Sequence, residues 1–153
     1  MQARMQNPAY ALPSAVKGIG GLVRAIEEGG ISKQLKELVA LRASQINGCS
    51  ACVYGHVHGL TKEGETPERI AAVAAWREAP FFTDDERTAL ELTERVTRLA
   101  DLSEEPVPDE LWDRVTDAFD EKQISALLFT IGMTNMFNRL NASVREPAGT
   151  TWD

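Results

Sequence analysis

The chain is short of basic residues, cysteines and long apolar runs, and each shortage excludes something. Lysine and arginine number 16 against 23 aspartates and glutamates, leaving a net charge of −7. Phosphate backbones are held by basic patches, so a nucleic-acid partner is not expected. No apolar run approaches the roughly 20 residues needed to span a bilayer, and MQARMQNPAY carries no apolar leader core. No membrane partner is expected, and the cytoplasm is the expected compartment. Two cysteines are too few for a disulfide scaffold; in an intracellular chain a close pair reads as redox or metal chemistry. Convincing strand patterns, internal repeats and low-complexity segments are missing as well.

What is there is helix. With 153 residues, 43% of them hydrophobic and 25% charged, the chain suits one globular domain with a sizeable core. Residues 1–13, with Pro8 and Pro13, read as an N-terminal arm that is either disordered or laid on a neighbouring subunit. Residues 14–146 read as one all-α domain of six to seven helices packed as hairpins, and 147–153 as a loose tail. Apolar spacing predicts helices over Ser14–Glu28 and from the Ser32 cap to Asn47. A third carries the cysteines and ends near Gly64. A fourth opens at Thr66-Pro67-Glu68 and ends at Pro80, with Phe81 and Phe82 plugging the joint. Thr83 to Glu86 fits a capping box, with Ala89, Leu92, Val96 and Leu99 along the face that follows. After a loop over Glu104–Pro108, a short helix spans Asp109–Phe119. The last, capped by Asp120 and Gln123, runs to about Val144. It is apolar nearly all round, which predicts a central or interface helix. Its Asn135, Asn138 and Asn141 read as structural amides bonding to neighbouring loops. Gly18, Gly20 and Gly21 suggest close helix contact, Tyr54 a core side chain, and Arg42 either a surface-seeking arginine or half of a subunit-interface ion pair.

The stretch that organises the chain is Glu37 to His58, ELVALRASQINGCSACVYGHVH, which holds both cysteines and both histidines. Asn47-Gly48 is a break signal, so a new helix starts at the CxxC of Cys49 and Cys52. Free N–H groups and the positive dipole end favour a thiolate in its first turn, which argues for Cys49. His56 follows Cys52 by four residues, on the same helix face, which argues for Cys52. The thiolate is the nucleophile, and a neighbouring cationic histidine favours it. A second cysteine three residues away can resolve a sulfenic acid into a disulfide. A carboxylate bonded to an imidazole fixes its tautomer, and Glu37 serves if its helix packs on the CxxC helix.

Glu37, then Cys49 twelve residues on, then Cys-Ser-Ala-Cys with His56, resembles the Glu…CxxCxxxH signature of AhpD-type alkylhydroperoxidases of the carboxymuconolactone decarboxylase-like superfamily. LVALRASQINGC, ERIAAVAAWREAPFFTDDERTALELTERVT and the later NRLN are also similar to its short single-repeat members. The resemblance covers about residues 35–141. It implies an enzyme, a thiol-dependent hydroperoxide reductase or disulfide oxidoreductase. Cys52 would be the peroxidatic cysteine, Cys49 the resolving one, and His56 with Glu37 a proton relay by way of water. It implies no bound cofactor but an external dithiol reductant of lipoyl type, and a trimer or hexamer with the site near an interface. Some members carry a histidine between the cysteines, where this chain has Ser50 and Ala51.

Other readings use the same residues. A structural zinc site would take Cys49, Cys52, His56 and His58, but ligands at i, i+3, i+7 and i+9 spread around a helix. A redox-sensing scaffold would oxidise slowly without turnover. Carboxymuconolactone decarboxylase chemistry does not depend on a CxxC.

Overall fold

The computed structural model describes residues 2–102 and 105–149. Among these the chain forms eight α-helices and a 3-10 turn, with no strand. They are α1 (Pro8–Ala11), α2 (Pro13–Glu28), α3 (Lys33–Asn47), α4 (Ser50–Lys62), α5 (Pro67–Ala72), α6 (Asp84–Thr97), α7 (Asp109–Ala118) and α8 (Glu121–Val144), with the 3-10 turn Val73–Ala75 after α5. The all-α expectation holds. The extra helix lies in the arm, where Asn7 accepts from the Ala9 amide as N-cap and Pro8 fills the first turn. Met1, Ser103, Glu104 and the tail from Thr150 lie outside the described residues.

Helix starts follow local chemistry. Ser32 and Thr66 cap α3 and α5. Thr83 with Glu86, and Asp120 with Gln123, form two-way capping boxes on α6 and α8. Each such cap stabilises its helix by about 1 kcal/mol.

The centre of the molecule is shared by α8, which packs against α2, α3, α4, α6 and α7, and by α3. The latter packs against α4, α6 and α8, and buries Leu35, Leu38, Val39 and Leu41 on more than one side. Leu35 and Val39 meet Leu92, Val115 and Leu127 in one core cluster, while Leu38 and Leu41 meet Leu60, Trp76 and Leu90 in another. Truncating any of these leucines to alanine would cost about 2–5 kcal/mol. The last helix buries Ile124, Leu127 and Ile131 but leaves Phe129 53% and Met136 38% exposed.

Several side chains depart from expectation. Arg42 is neither at the surface nor waiting for another subunit: its Nε donates to Glu94 Oε1 at 2.8 Å within the same chain. Phe82 plugs the joint before α6 while Phe81 stays exposed, and Leu99 lies exposed beyond the helix end. Tyr54 faces solvent rather than the core. A Cβ at Gly18 would meet nothing within 4 Å, and at Gly20 or Gly21 only Arg24. Close helix contact falls instead at Gly29, where a Cβ would stand 2.4 Å from the Ala126 Cβ.

Candidate active site

The cysteines sit in the elbow between α3 and α4. Gly48, at φ +67°, ends α3 in the left-handed region, where a glycine carries no Cβ penalty. The chain then turns straight into α4, whose N-cap is Cys49; its Sγ accepts from the Cys52 amide at 3.3 Å. The helix thus starts where the Asn47-Gly48 break places it. Cys49 and Cys52 are joined as a disulfide, and both are buried.

The elbow is tied to α8 by amides. Asn47 Nδ2 donates to Asn138 Oδ1 at 2.8 Å and to Asn135 Oδ1 at 3.0 Å. Asn138 Nδ2 donates to the buried Ser44 hydroxyl at 3.0 Å. One turn further, Asn141 Nδ2 donates to Cys52 Sγ at 3.3 Å. The asparagines at i, i+3 and i+6 therefore do not reach towards loops generally. They line the cysteine elbow, and one touches sulfur.

Glu37 and His56 meet because α3 and α4 pack side by side. His56 Nδ1 stands 2.7 Å from Glu37 Oε2, both side chains being about four-fifths buried. A carboxylate only accepts, so Nδ1 carries the proton in this contact and the imidazole is held in one tautomer. Gly59 makes the room: a Cβ there would lie 2.8 Å from Glu37 Oε2. The imidazole stands between two cavities. The larger, about 280 Å³, is lined by Cys52, His56, Tyr10, Val23, Phe137 and Asn141 among others. The smaller, about 120 Å³, is lined by His56, Glu37, Lys36 and Met133 among others. Cys52 and His56 thus share one chamber, and Glu37 backs His56 from the other.

His58 lines neither cavity. Among the described residues no three histidine, cysteine, aspartate or glutamate side chains are grouped so as to hold a metal ion. The four-ligand zinc set therefore does not converge. No described helix is long and apolar enough to cross a membrane.

The model of the carboxymuconolactone decarboxylase family matches residues 11–95, more than half of the chain and all of the Glu37–His56 site. The chain belongs to that family. Over 136 residues, 89% of this chain and 90% of the relative, it is 34% identical to the uncharacterized protein YdfG of Bacillus subtilis. Over 72 residues, 43% of this chain and 41% of the relative, it is 38% identical to the alkyl hydroperoxide reductase AhpD of Corynebacterium kroppenstedtii. Its fold matches the crystal structure of an Agrobacterium tumefaciens protein of unknown function, proposed there to be an antioxidant defence protein AhpD. That match has a TM-score of 0.86 and 30% identity, over 97% of this chain and 99% of the other. The debrominase Bmp8 shares the fold at a TM-score of 0.77 and 22% identity, over 90% of this chain and 73% of its own. The AhpD-like expectation for family and fold therefore stands.

Asn7, Tyr10, Gly59 and Asn141 were not among the expected site residues. Gly59 had a signal, since a glycine inside a helix marks a close approach. Asn7-Pro8 had a capping signal, but nothing local says that the capped turn folds back over a cavity.

Proposed function

We propose that the protein is a thiol-dependent hydroperoxide reductase in which Cys52 attacks and Cys49 resolves. The single observation that carries this reading is the shared chamber: Cys52 and His56 line one cavity, and His56 is held from behind by Glu37 at 2.7 Å. The Cys52 thiolate attacks the outer peroxide oxygen, the O–O bond breaks, and the alcohol leaves with a proton that His56 supplies. The sulfenic acid condenses with the Cys49 thiol, releasing water and forming the disulfide. An external dithiol of lipoyl type returns two electrons by exchange and leaves as its own cyclic disulfide. Glu37 holds the His56 tautomer and favours its charged form, and the proton that His56 gives up is restored from water. No bound cofactor takes part.

The apolar walls contributed by Val23, Phe137 and Met133 favour a peroxide with a hydrocarbon body. The exposed Phe129 and Met136 on α8 fit the assembly of copies that the resemblance implies. A decarboxylase, the activity that gives the family its name, has no use for a sulfur pair of which one member, Cys52, lines the cavity. A redox sensor would use them without turnover, and the rate decides against or for it.

The test is intact mass after one equivalent of an organic hydroperoxide is added to reduced protein. The wild type should lose the mass of two hydrogens within seconds, and Cys49→Ser should trap a sulfenic acid. Cys52→Ser and His56→Ala should abolish or greatly slow turnover with a dithiol reductant. Unchanged masses, or full turnover in Cys52→Ser, would overturn the reading.

A further inference from the structure

The row of amides that ends on Cys52 begins in the N-terminal arm. Asn141 is only 3% exposed, and its Nδ2 donates to Cys52 Sγ at 3.3 Å. A carboxamide has a donor end and an acceptor end of nearly equal shape, so what holds one end decides which end meets the sulfur. Asn141 Oδ1 accepts from Asn7 Nδ2 at 2.6 Å. Asn7 is itself anchored, since its Oδ1 accepts from the Ala9 amide at 3.0 Å and its Nδ2 also donates to Glu146 Oε2 at 3.2 Å. The arm is pinned further by the Arg4 amide, which donates to the Val144 carbonyl at 2.8 Å.

We propose that Asn141 is the hydrogen-bond donor that stabilises the Cys52 thiolate, and that Asn7 is the positioning residue that keeps its amino end turned towards the sulfur. The inference rests on Cys52 being the working thiol. In the disulfide the sulfur is a weak acceptor. Once the external dithiol has transferred two electrons and the S–S bond has opened, a charged sulfur in the same place makes that donor charge-assisted. The start of α4 already serves the other sulfur, because Cys49 Sγ takes the Cys52 amide. Asn141 supplies the corresponding support to the sulfur that faces the cavity. It thereby offsets the advantage that a place at the helix start gives Cys49.

The other titratable groups around Cys52 are His56 and Tyr10 in the same cavity, Glu37 behind His56, and Glu146 behind Asn7. None of them is substituted in the variants that test the relay, and Asn7→Ala changes only the surroundings of Glu146, which loses the bond from Asn7 Nδ2. The experiment is the pH profile of iodoacetamide alkylation at Cys52 in a reduced Cys49→Ser background. There serine keeps the cap on α4. Adding Asn141→Leu should raise the half-maximal pH by about one unit or more, the effect of losing a donor to a charged acceptor. Adding Asn7→Ala should raise it by a smaller amount, because the amide is then free to turn over. Asn135→Ala, which removes an α8 amide that touches neither Asn141 nor sulfur, should leave the midpoint where it was. An unmoved midpoint in Asn141→Leu, or an equal shift in Asn135→Ala, would overturn the proposal. If Asn141→Leu does not fold, Asn7→Ala decides alone: a raised midpoint supports the relay and an unmoved one overturns it. Alkylation needs no peroxide, so a protein that shows the shifts yet ignores hydroperoxides would sink the reductase reading and leave the relay standing.

Discussion

Gly59 follows His56 by three residues on α4, and a Cβ on it would stand 2.8 Å from Glu37 Oε2 and 2.9 Å from Glu37 Cδ. That oxygen is the one His56 Nδ1 meets at 2.7 Å, so an added methyl would compete with the imidazole for the carboxylate. The obstructed group is the end of a flexible side chain. It can swing aside at the expense of the His56 bond while the backbone stays where it is. Alanine for glycine in a helix interior gains up to about 1 kcal/mol of propensity. We therefore expect Gly59→Ala to melt at the same or a slightly higher temperature while its hydroperoxide turnover falls on the order of tenfold or more. Thermal denaturation and steady-state rates on one preparation check both halves. A variant with wild-type turnover would mean that the Glu37–His56 contact is not used.

Between elements, the glycine with the closest neighbours among the described residues stands where the end of α2 meets α8. The Gly29 Cβ position lies 2.4 Å from the Ala126 Cβ and 2.8 Å from the Lys122 carbonyl oxygen. Neither neighbour is a flexible chain end, so Gly29→Ala has to push the two helices apart. Overpacking of this kind costs about 1–3 kcal/mol, and a lowered urea midpoint would show it. The α2 wall of the larger cavity, with Ile19 and Val23, should loosen with it. That contact was not legible in the sequence, where the glycines at 18, 20 and 21 are the more conspicuous group. The caps at Ser32, Thr66, Thr83 and Asp120 were legible, because the donor and acceptor of a cap lie three residues apart and need no tertiary partner. Glu37 and His56 were legible because the Glu…CxxCxxxH spacing of the family they resemble singles them out, and one helix hairpin brings them together. The partner of Arg42 lies 52 residues on and the donor to Cys52 lies 89 residues on. Side-chain type and helical spacing say nothing about which distant helix comes to rest opposite. The asparagines of α8 could thus be read as structural amides without any sign of the sulfur they reach.

Across the whole molecule, Glu94 joins parts of the chain that no single helix hairpin holds. From α6 its Oε1 accepts from Arg42 Nε of α3 at 2.8 Å and from Trp76 Nε1, just past the 3-10 turn, at 2.9 Å. Its Oε2 accepts from Arg77 at 2.6 Å. Burial by itself would raise the Glu94 carboxyl, but the bonds from Trp76 and Arg77 and the charge of Arg42 outweigh it and hold the group below its ordinary value. A carboxyl that is more acidic folded than unfolded binds fewer protons in the folded state over the interval between the two values. Its contribution is therefore complete above the unfolded carboxylate value of about 4.5. It is lost as the pH falls through the lower, folded value. We expect the melting temperature to drop through this acid window and Glu94→Gln to show a shallower drop there. At neutral pH the variant should already be less stable by about 1–3 kcal/mol, because two guanidinium groups lose their carboxylate. Melting curves of both proteins from pH 7 down to about pH 3 separate the outcomes. Parallel curves would mean that the acid sensitivity of the fold resides in other carboxylates. Curves that converge in acid would identify Glu94 as the group that locks α3, α6 and the segment after α5 into one body.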